Sequence, residues 1–167
     1  VSFIEGLDTV SVVNVPAEQC PSGSQILASR TGKQAFIHGE AGLYSVTANG
    51  VQRLSDVAHV AAFNETTQRL LIVDNDAKRG LILNAAGQEV ASVEFPGAVK
   101  SAQGFVQSDE FAVTLSTQQG GAFGTVSSEG IIGALTDIPE AVEIELSADG
   151  SRVAFLLDHD VHFFNIQ

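Results

Sequence analysis

The sequence predicts an all-β protein built from about four copies of one antiparallel unit. Short runs of β-branched and aromatic residues, bounded by Gly, Asn, Asp and Ser, recur along the whole chain. No long apolar pattern with a 3.6-residue period interrupts them, so helices are not expected. Four segments fall into one register, with start positions 32, 67, 108 and 150 and spacings of 35, 41 and 42 residues: Gly32–His38, Thr67–Val73, Ser108–Thr114 and Gly150–Leu156. That spacing is typical of a four-stranded sheet per repeat.

Each repeat divides into short strands joined by tight turns. The aligned segment is the second strand, and the predicted first strands are Ile26–Ser29, Val60–Phe63, Gly104–Gln107 and Ile144–Ser147. The predicted third strands are Leu43–Thr47, Leu81–Asn84, Ala122–Ser127 and Val161–Ile166. The predicted fourth strands are Val51–Leu54, Glu89–Phe95 and Ile131–Leu135. Asn49-Gly50 and Asp149-Gly150 are typical of tight hairpin turns that require positive φ.

The second strands are apolar on both faces, as in Leu70–Val73, whereas a sheet with one solvated face would alternate. Radially stacked sheets cover both faces, so the pattern favours a β-propeller-like array of about four blades over a two-sheet sandwich. We expect one domain over 1–167, as a small or partial propeller, with repeats at 24–55, 56–96, 97–136 and 137–167. Four second-strand side chains should be buried: Phe36, Leu71, Val113 and Phe155.

Two stretches carry a resemblance. Leu146–Phe155 resembles the hairpin of bacterial WD-like propeller repeats, and Leu71–Asp76 followed by Gly80–Leu83 is similar to blades of the NHL and YVTN class. The resemblance covers about residues 24–167. It implies the fold and little about activity, because such blades serve enzymes, scaffolds and receptors. The Gly-His and Trp-Asp signatures of WD repeats are absent from the sequence.

The amino-acid composition limits the classes of partner that we expect. With 20 acidic and 8 basic residues the net charge is −12, so nucleic acid is not an expected partner. Cys20 is the single cysteine, which rules out an intrachain disulfide. No apolar run is long enough to span a membrane, and no membrane insertion is expected. Low lysine content and an acidic surface favour an exported or periplasmic bacterial protein.

The fourth repeat stops after its third strand and so lacks an outer strand. The segment 1–23 contains the remaining β-rich stretch, in which Thr9–Val15 alternates polar and apolar residues. We expect residues within 1–15 to pair with Val161–Ile166, within one chain or across a homodimer. The alternative is a larger ring with additional blades, since an uncapped repeat end exposes apolar sheet and favours association.

Acidic residues cluster at the turns and connectors expected on one end of the repeats. That set is Glu40, Asp56, Asp74, Asp76, Asp137, Glu140, Asp158 and Asp160, with His59 and His159 beside them and Lys78, Arg79 and Lys100 opposing. Candidate binding residues are Asp74, Asp76, His59 and Asp137. Asp158, His159 and Asp160 are candidate ligands for a divalent cation, and ordinary Asp-rich turns are the alternative. His38 ends an apolar strand and is expected to be a hydrogen-bonded core or rim histidine.

These observations favour a non-enzymatic binding or scaffolding module that presents a propeller face to a protein or carbohydrate. No catalytic spacing is recognised, so no catalytic residue and no organic cofactor are predicted. The alternatives are a metal-dependent hydrolase similar to propeller lactonases and esterases, and a split propeller whose role is assembly.

Overall fold

The computed structural model describes residues 2–5, 8–29, 34–138, 143–147, 151–157 and 160–165. It divides into two compact units, 1–59 (unit 1) and 60–167 (unit 2). The part of the chain that is described contains strands and one 3₁₀ turn, Ala17–Gln19, and no α-helix. Accordingly, none of its helices is long and apolar enough to cross a membrane. The all-β prediction is confirmed.

Unit 1 contains a hairpin and a four-stranded antiparallel sheet. The hairpin pairs β1 (Ser2–Glu5) with β2 (Asp8–Val12). Sheet 1 has the order β3-β4-β5-β6: β3 (Gln25–Ala28), β4 (Gln34–Gly39), β5 (Gly42–Thr47) and β6 (Gly50–Ser55). The predicted Asn49-Gly50 turn is confirmed, with Gly50 at φ +134°. The Asp149-Gly150 turn lies outside the described residues.

Unit 2 contains three further antiparallel meanders. Sheet 2 consists of β7 (Val60–Asn64), β8 (Arg69–Asp74), β9 (Arg79–Asn84) and β10 (Glu89–Glu94). Sheet 3 consists of β11 (Ala98–Gly104), β12 (Glu110–Thr117), β13 (Gly120–Ser127) and β14 (Thr136–Ile138). Sheet 4 has three described strands: β15 (Glu143–Leu146), β16 (Arg152–Leu157) and β17 (Asp160–Asn165).

The predicted first strand of the third repeat, Gly104–Gln107, is wrong. Gly104 is the last residue of β11, and residues 105–109 form the loop to β12. β7 approaches so closely that a Cβ on Gly104 would lie 2.2 Å from the carbonyl oxygen of Phe63. The backbone carbonyls of Phe105 and Ser108 accept hydrogen bonds from the Asn64 side chain. This side chain therefore holds the segment as a loop, in place of the backbone pairing that a strand would have.

The predicted fourth strand of the third repeat, Ile131–Leu135, is also wrong. In this segment the ladder with β13 is reduced to one isolated bridge, between Val126 and Ile132, flanked by the hydrogen bonds Ser127 N–H to Ile131 O and Gly133 N–H to Thr125 O. The Ser127 hydroxyl accepts the N–H of Ile131 at 3.2 Å, a local bond that competes with regular pairing. Regular pairing resumes at Thr136–Ile138, so β14 crosses the boundary predicted between the third and fourth repeats.

Sheets 2 and 3 pack face to face around an apolar cluster. Phe111, Val113 and Leu115 alternate along β12 on one face, and each is at most 1 % exposed. The cluster also contains Leu71, Val73, Ile82, Val93, Phe95, Val99, Ala122 and Val126. On the opposite face of β12, Ala112 belongs to a second cluster that sheet 3 shares with sheet 4. Sheet 3 is therefore covered on both faces, as the continuous apolar runs predict.

The cluster between sheets 3 and 4 is centred on two aromatic rings. Phe123 and Phe155 meet edge to face, with ring centroids 5.3 Å apart. Phe105, Ala112, Ile144 and Val153 complete the buried part of the cluster. The predicted burial of Phe36, Leu71, Val113 and Phe155 is confirmed at 0–2 % exposure.

A buried asparagine joins sheet 2 to the β11–β12 loop. Asn64 is fully buried, and its Nδ2 donates to the carbonyl oxygens of Phe105 (3.3 Å), Ser108 (2.9 Å) and Glu110 (2.8 Å). Its Oδ1 accepts the N–H and the hydroxyl of Thr67, at 3.0 and 3.2 Å. One side chain thus satisfies both its own turn and the loop of the next sheet.

Two more amide side chains join neighbouring sheets in the same way. Asn75, in the β8–β9 turn, donates to the carbonyl of Val99 at 2.9 Å and accepts its N–H at 2.8 Å. Gln103 of β11 accepts the N–H of Leu146 at 2.7 Å and donates to the Glu145 carboxylate at 3.2 Å. We call Asn64, Asn75 and Gln103 the amide clamps. Nothing in the repeat pattern identified them.

The predicted pairing of residues 1–15 with Val161–Ile166 would join the two units and stays a prediction. Within unit 1, Ser2–Glu5 pairs with Asp8–Val12 as the β1–β2 hairpin.

Replacing Phe155 with alanine should lower the free energy of unfolding by about 3–5 kcal/mol, from lost apolar transfer energy plus a cavity. Urea denaturation of the variant measures this. Phe163→Ala is the matched control, because Phe163 is 72 % exposed and its loss should cost less than about 0.5 kcal/mol. Equal costs for the two variants would contradict the packing of sheet 4.

Asn64→Ala should lower the free energy of unfolding of unit 2 by about 1–3 kcal/mol, because buried carbonyl oxygens lose their hydrogen-bond donor. Asn64→Asp should be equally harmful, since it replaces the donor with a carboxylate facing the same carbonyls. Thermal denaturation of both variants, with the exposed Asn14→Ala as control, tests the clamp. Wild-type stability in Asn64→Asp would show that the donor group is unimportant.

Candidate functional site

Two of the four candidate binding residues lie together at the β8–β9 turn. Asp74 ends β8, and its Oδ1 accepts the backbone N–H groups of Asp76 (3.0 Å) and Ala77 (3.2 Å). Asp74 is thus partly engaged in the turn itself, while Asp76 is exposed. The turn alternative accounts for the position of Asp74, and a binding role for either residue stays a prediction.

The remaining candidates belong to other segments of the chain than the β8–β9 turn. His59 is exposed and is the last residue of unit 1. Asp137 is exposed in the middle of β14, and Asp160 is exposed at the start of β17. Asp158 and His159 lie outside the described residues, so the divalent-cation site stays a prediction.

Several other charged residues from the acidic set form surface pairs or lie in turns. Asp56 pairs with Arg53 at 3.0 Å, and Arg79 pairs with Glu89 at 3.2 Å across β9 and β10. Both pairs are largely exposed, so they contribute little to stability. Glu40 and Lys78 lie exposed in turns and Lys100 is exposed on β11, whereas Glu140 lies outside the described residues.

His38 in β4 is buried, as expected, but it is not satisfied. Only 4 % of the residue is exposed, and neither ring nitrogen meets hydrogen-bond geometry with a partner. Burial lowers the pKa of the imidazole below its usual 6.5, and the nearby backbone of Ala58 offsets this to a smaller extent. Gln25 and Leu43, the residues opposite His38 on the neighbouring strands, carry no charge.

Asp137 lines a polar cavity of about 340 Å³ at one end of sheet 3. The other lining residues are Pro96, Thr117, Gln118, Gln119, Ala122 and Leu135. Side-chain amides and one carboxylate around small apolar surfaces suit a neutral, hydroxyl-rich ligand. This is the described location that best fits the predicted carbohydrate partner.

A second cavity, of about 270 Å³, opens between sheets 3 and 4, and we call it the inter-sheet cavity. The residues that line it are Phe123, Gly124, Thr125, Ala134, Thr136, Asp137, Ile138, Val153, Phe155 and Asn165. Aromatic and aliphatic side chains form its floor. An apolar side chain therefore suits it better than water does.

Among the described residues, apolar side chains lie on both faces of β16 and β17, and those on one face are largely exposed. Val153 and Phe155 face sheet 3, and the alternate residues of β16 and β17 point the other way. We call that side the outer face; it carries the apolar residues Ala154, Leu156, Val161 and Phe163, together with the charged residues Glu145 and Arg152. Leu156, Val161 and Phe163 are 36 %, 55 % and 72 % exposed, whereas the middle strand of sheet 3 is buried on both faces.

β17 also has a free edge. In the part of the chain that the structure describes, β17 pairs with β16 alone, so alternate backbone N–H and C=O groups face away from the sheet. Val161 and Phe163 were not singled out as site residues from the sequence.

Comparison with known proteins shows the fold. No protein-family model matches the chain, and no curated protein matches it in sequence. The chain is similar to a solved structure titled Kuenenia stuttgartiensis hydrazine synthase, with a TM-score of 0.68 at 15 % identity, over 84 % of this chain and 45 % of that one. It is similar to a chain of a mitotic checkpoint complex, with a TM-score of 0.68 at 17 % identity, over 84 % and 48 %. A third similar structure is the Cps50 (Swd1) β-propeller domain of Myceliophteria thermophila, with a TM-score of 0.61 at 13 % identity, over 79 % and 50 %.

The predicted β-propeller fold is therefore confirmed. The chain spans about half the length of the solved structures it matches. At these identities the likeness establishes the fold alone.

Unit 1 should lose stability in mild acid because of His38. The pKa of the His38 imidazole is lowered in the folded state, so the unfolded chain binds a proton more readily than the folded chain does as the pH falls below about 6.5. That contribution is fully present above pH 6.5 and is lost below it, by at most about 1.4 kcal/mol per pH unit. Denaturation at pH 8 to 5 should show a shallower dependence in His38→Leu than in wild type. Gln52→Leu, at an exposed residue of β6 with no titratable group, is the matched control and should keep the wild-type slope; identical slopes in all three proteins would contradict the assignment.

Proposed function

We propose that this chain is a non-enzymatic protein-binding module that docks a partner protein on the outer face of sheet 4. The proposal rests on one observation: the outer face has the apolar sequence of a covered sheet, but its side chains are exposed. Ala154, Leu156, Val161 and Phe163 follow the two-faced apolar pattern of a covered sheet, yet the last three are 36–72 % exposed. A contiguous exposed apolar surface on a folded domain marks an interaction site.

The free energy available from covering this face is substantial. Full burial of an aliphatic or aromatic side chain contributes about 1.5–3 kcal/mol. Phe163 has the most to gain, because it is the most exposed of the large apolar side chains described. Exposed aromatic residues at the centre of a patch commonly dominate the binding energy of an interface. Phe163 is therefore the expected anchor.

Charge favours a partner with a basic rim. The chain carries a net charge of −12, and Glu145 and Asp160 lie exposed on sheet 4. Complementary positive charge on a protein partner would accelerate association and orient the complex. Nucleic acid, whose phosphates repel this surface, is a poor candidate.

The other functions expected from the sequence have less support. A carbohydrate ligand depends on the polar cavity beside Asp137, which contains no aromatic ring among its lining residues. A hydrolase depends on the cation site at Asp158, His159 and Asp160, of which only Asp160 is described. The split-propeller function shares the outer face with our proposal but assigns it to another copy or to more blades.

A photo-cross-linking residue at position 163 should capture one partner protein in a cell extract, whereas the same residue at position 90 should not. Val90 is a matched control because it is an exposed apolar residue, 43 % accessible, on the outermost strand of sheet 2. The captured protein is then purified and its binding is measured by calorimetry. Phe163→Ser should weaken it at least about tenfold, and Val90→Ser should leave it unchanged.

Equal capture at both positions would contradict the proposal, as would unchanged affinity of the purified partner for Phe163→Ser. Capture of the chain itself, with a concentration-dependent dimer in sedimentation, would favour assembly in place of partner binding.

A further inference from the structure

The sequence contains one N-glycosylation motif, and its asparagine lies in the interior of unit 2. Asn64-Glu65-Thr66 matches Asn-x-Ser/Thr with a residue other than proline in the middle, and no other asparagine in the sequence begins such a motif. Glycosylated asparagines of this motif lie in surface loops of secreted proteins. Asn64, in contrast, has 0 % exposure. The motif and the fold therefore place opposite demands on one side chain.

The nitrogen that would carry the sugar is the donor of the Asn64 clamp. Nδ2 donates to the carbonyl oxygens of Phe105, Ser108 and Glu110 at 3.3, 2.9 and 2.8 Å. An N-linked sugar replaces one of the two hydrogens on Nδ2, so the three carbonyls would share a single N–H. The sugar hydroxyls would also need partners in a place that solvent does not reach, which costs free energy.

The threonine of the motif takes part in the same attachment. Its hydroxyl donates to the carbonyl oxygen of Val106 at 2.9 Å, in the β11–β12 loop that Asn64 binds. Thr67, the next residue, donates its N–H and its hydroxyl to Asn64 Oδ1. The asparagine and the threonine of the motif thus both hold the β11–β12 loop against sheet 2, and a sugar on Asn64 would break that attachment.

The order of synthesis leaves Asn64 accessible for a time. The carbonyls that receive its amide hydrogens lie 41 to 46 residues further along the chain. At about 5–20 residues per second, Glu110 is made roughly 2 to 9 s after Asn64. Sheet 3 cannot form before then. A modifying enzyme at the site of synthesis can therefore reach the Asn64 amide before the fold buries it.

We propose that Asn64 is a modification site of the unfolded chain only: an oligosaccharyltransferase can glycosylate it during synthesis, and the glycan then prevents sheets 2 and 3 from joining. In the transfer, Nδ2 attacks the anomeric carbon of a lipid-linked oligosaccharide. The N–C bond forms, the C–O bond to the lipid diphosphate breaks, and one proton passes from Nδ2 to solvent. The folded chain is not a substrate, because Nδ2 is buried. The folded protein therefore arises only where this transfer does not precede the completion of sheet 3.

Translation in the presence of endoplasmic-reticulum microsomes tests both parts of the proposal. The chain is translated behind a cleavable signal sequence, the microsomes are dissolved in mild detergent, and the products are digested briefly with proteinase K. Wild type should give a glycosylated fraction, identified by a gel shift that an endoglycosidase reverses. That fraction should be digested at least about tenfold faster than the unglycosylated fraction of the same sample, because it remains unfolded.

Three variants show whether the effect belongs to position 64. Thr66→Ser keeps the motif and a hydroxyl and should behave as wild type does, whereas Thr66→Val should remain unglycosylated. Val51→Thr, made in the Thr66→Val chain, moves the motif to the exposed Asn49 in the β5–β6 turn. A sugar on Asn49 projects into solvent, so this glycosylated fraction should resist proteinase K as its unglycosylated fraction does.

A second measurement starts from folded wild-type protein. The purified chain is mixed with a single-subunit oligosaccharyltransferase and its lipid-linked oligosaccharide, and a synthetic peptide of residues 60–70 serves as the accessible acceptor. Transfer to the folded chain should be at least about a hundredfold slower than transfer to the peptide, because the Asn64 amide reacts only after the fold opens.

Proteinase K resistance of wild type glycosylated at Asn64 would overturn the proposal. So would a wild-type chain that stays unglycosylated in microsomes that glycosylate the Asn49 variant, or transfer to the folded chain at the rate of the peptide. The two fractions of wild type are compared within one sample, so the result holds even if Thr66→Val fails to fold.

Discussion

Apolar side chains on both faces of the middle strands are the constraint from which the packing of unit 2 follows. Such a sheet is stable only when both faces are covered, because each exposed large side chain forgoes about 1.5–3 kcal/mol. Sheet 3 meets the requirement, with Phe111 and Val113 packed on sheet 2 and Ala112 packed towards sheet 4. Among the described residues of sheet 4, the apolar side chains of one face stay exposed, and that face is the candidate interaction surface.

Repeat spacing and strand chemistry were enough to predict the fold, because both are local in sequence. The burial of Leu71 and Phe155 followed directly from their places in apolar runs. The strand limits in the third repeat did not follow. At Gly104 the limit depends on the close approach of the β7 backbone, and at 131–135 it depends on a hydrogen bond to the Ser127 hydroxyl. Sequence periodicity reveals neither contact.

The candidate site was only partly accessible from sequence. The fourth repeat was expected to lack an outer strand, with residues within 1–15, a second copy or additional blades covering its end. The inter-sheet cavity was not, since it depends on how far sheets 3 and 4 separate at their outer strands. Acidic residues were the main candidates from the sequence. In the structure, Asp74 accepts hydrogen bonds from its own turn, and Asp137 remains a candidate only because it lines two cavities.

The Asn64 clamp has a consequence for how this protein tolerates sequence change. Asn64 binds Phe105, Ser108 and Glu110 through main-chain carbonyls only, which every amino acid offers. The side chains of the exposed loop residues 107 and 109 therefore take no part in the hydrogen bonds by which Asn64 holds the loop in place. Such a loop can diversify by mutational drift, or accept grafted sequences, while the angle between its two flanking sheets is preserved.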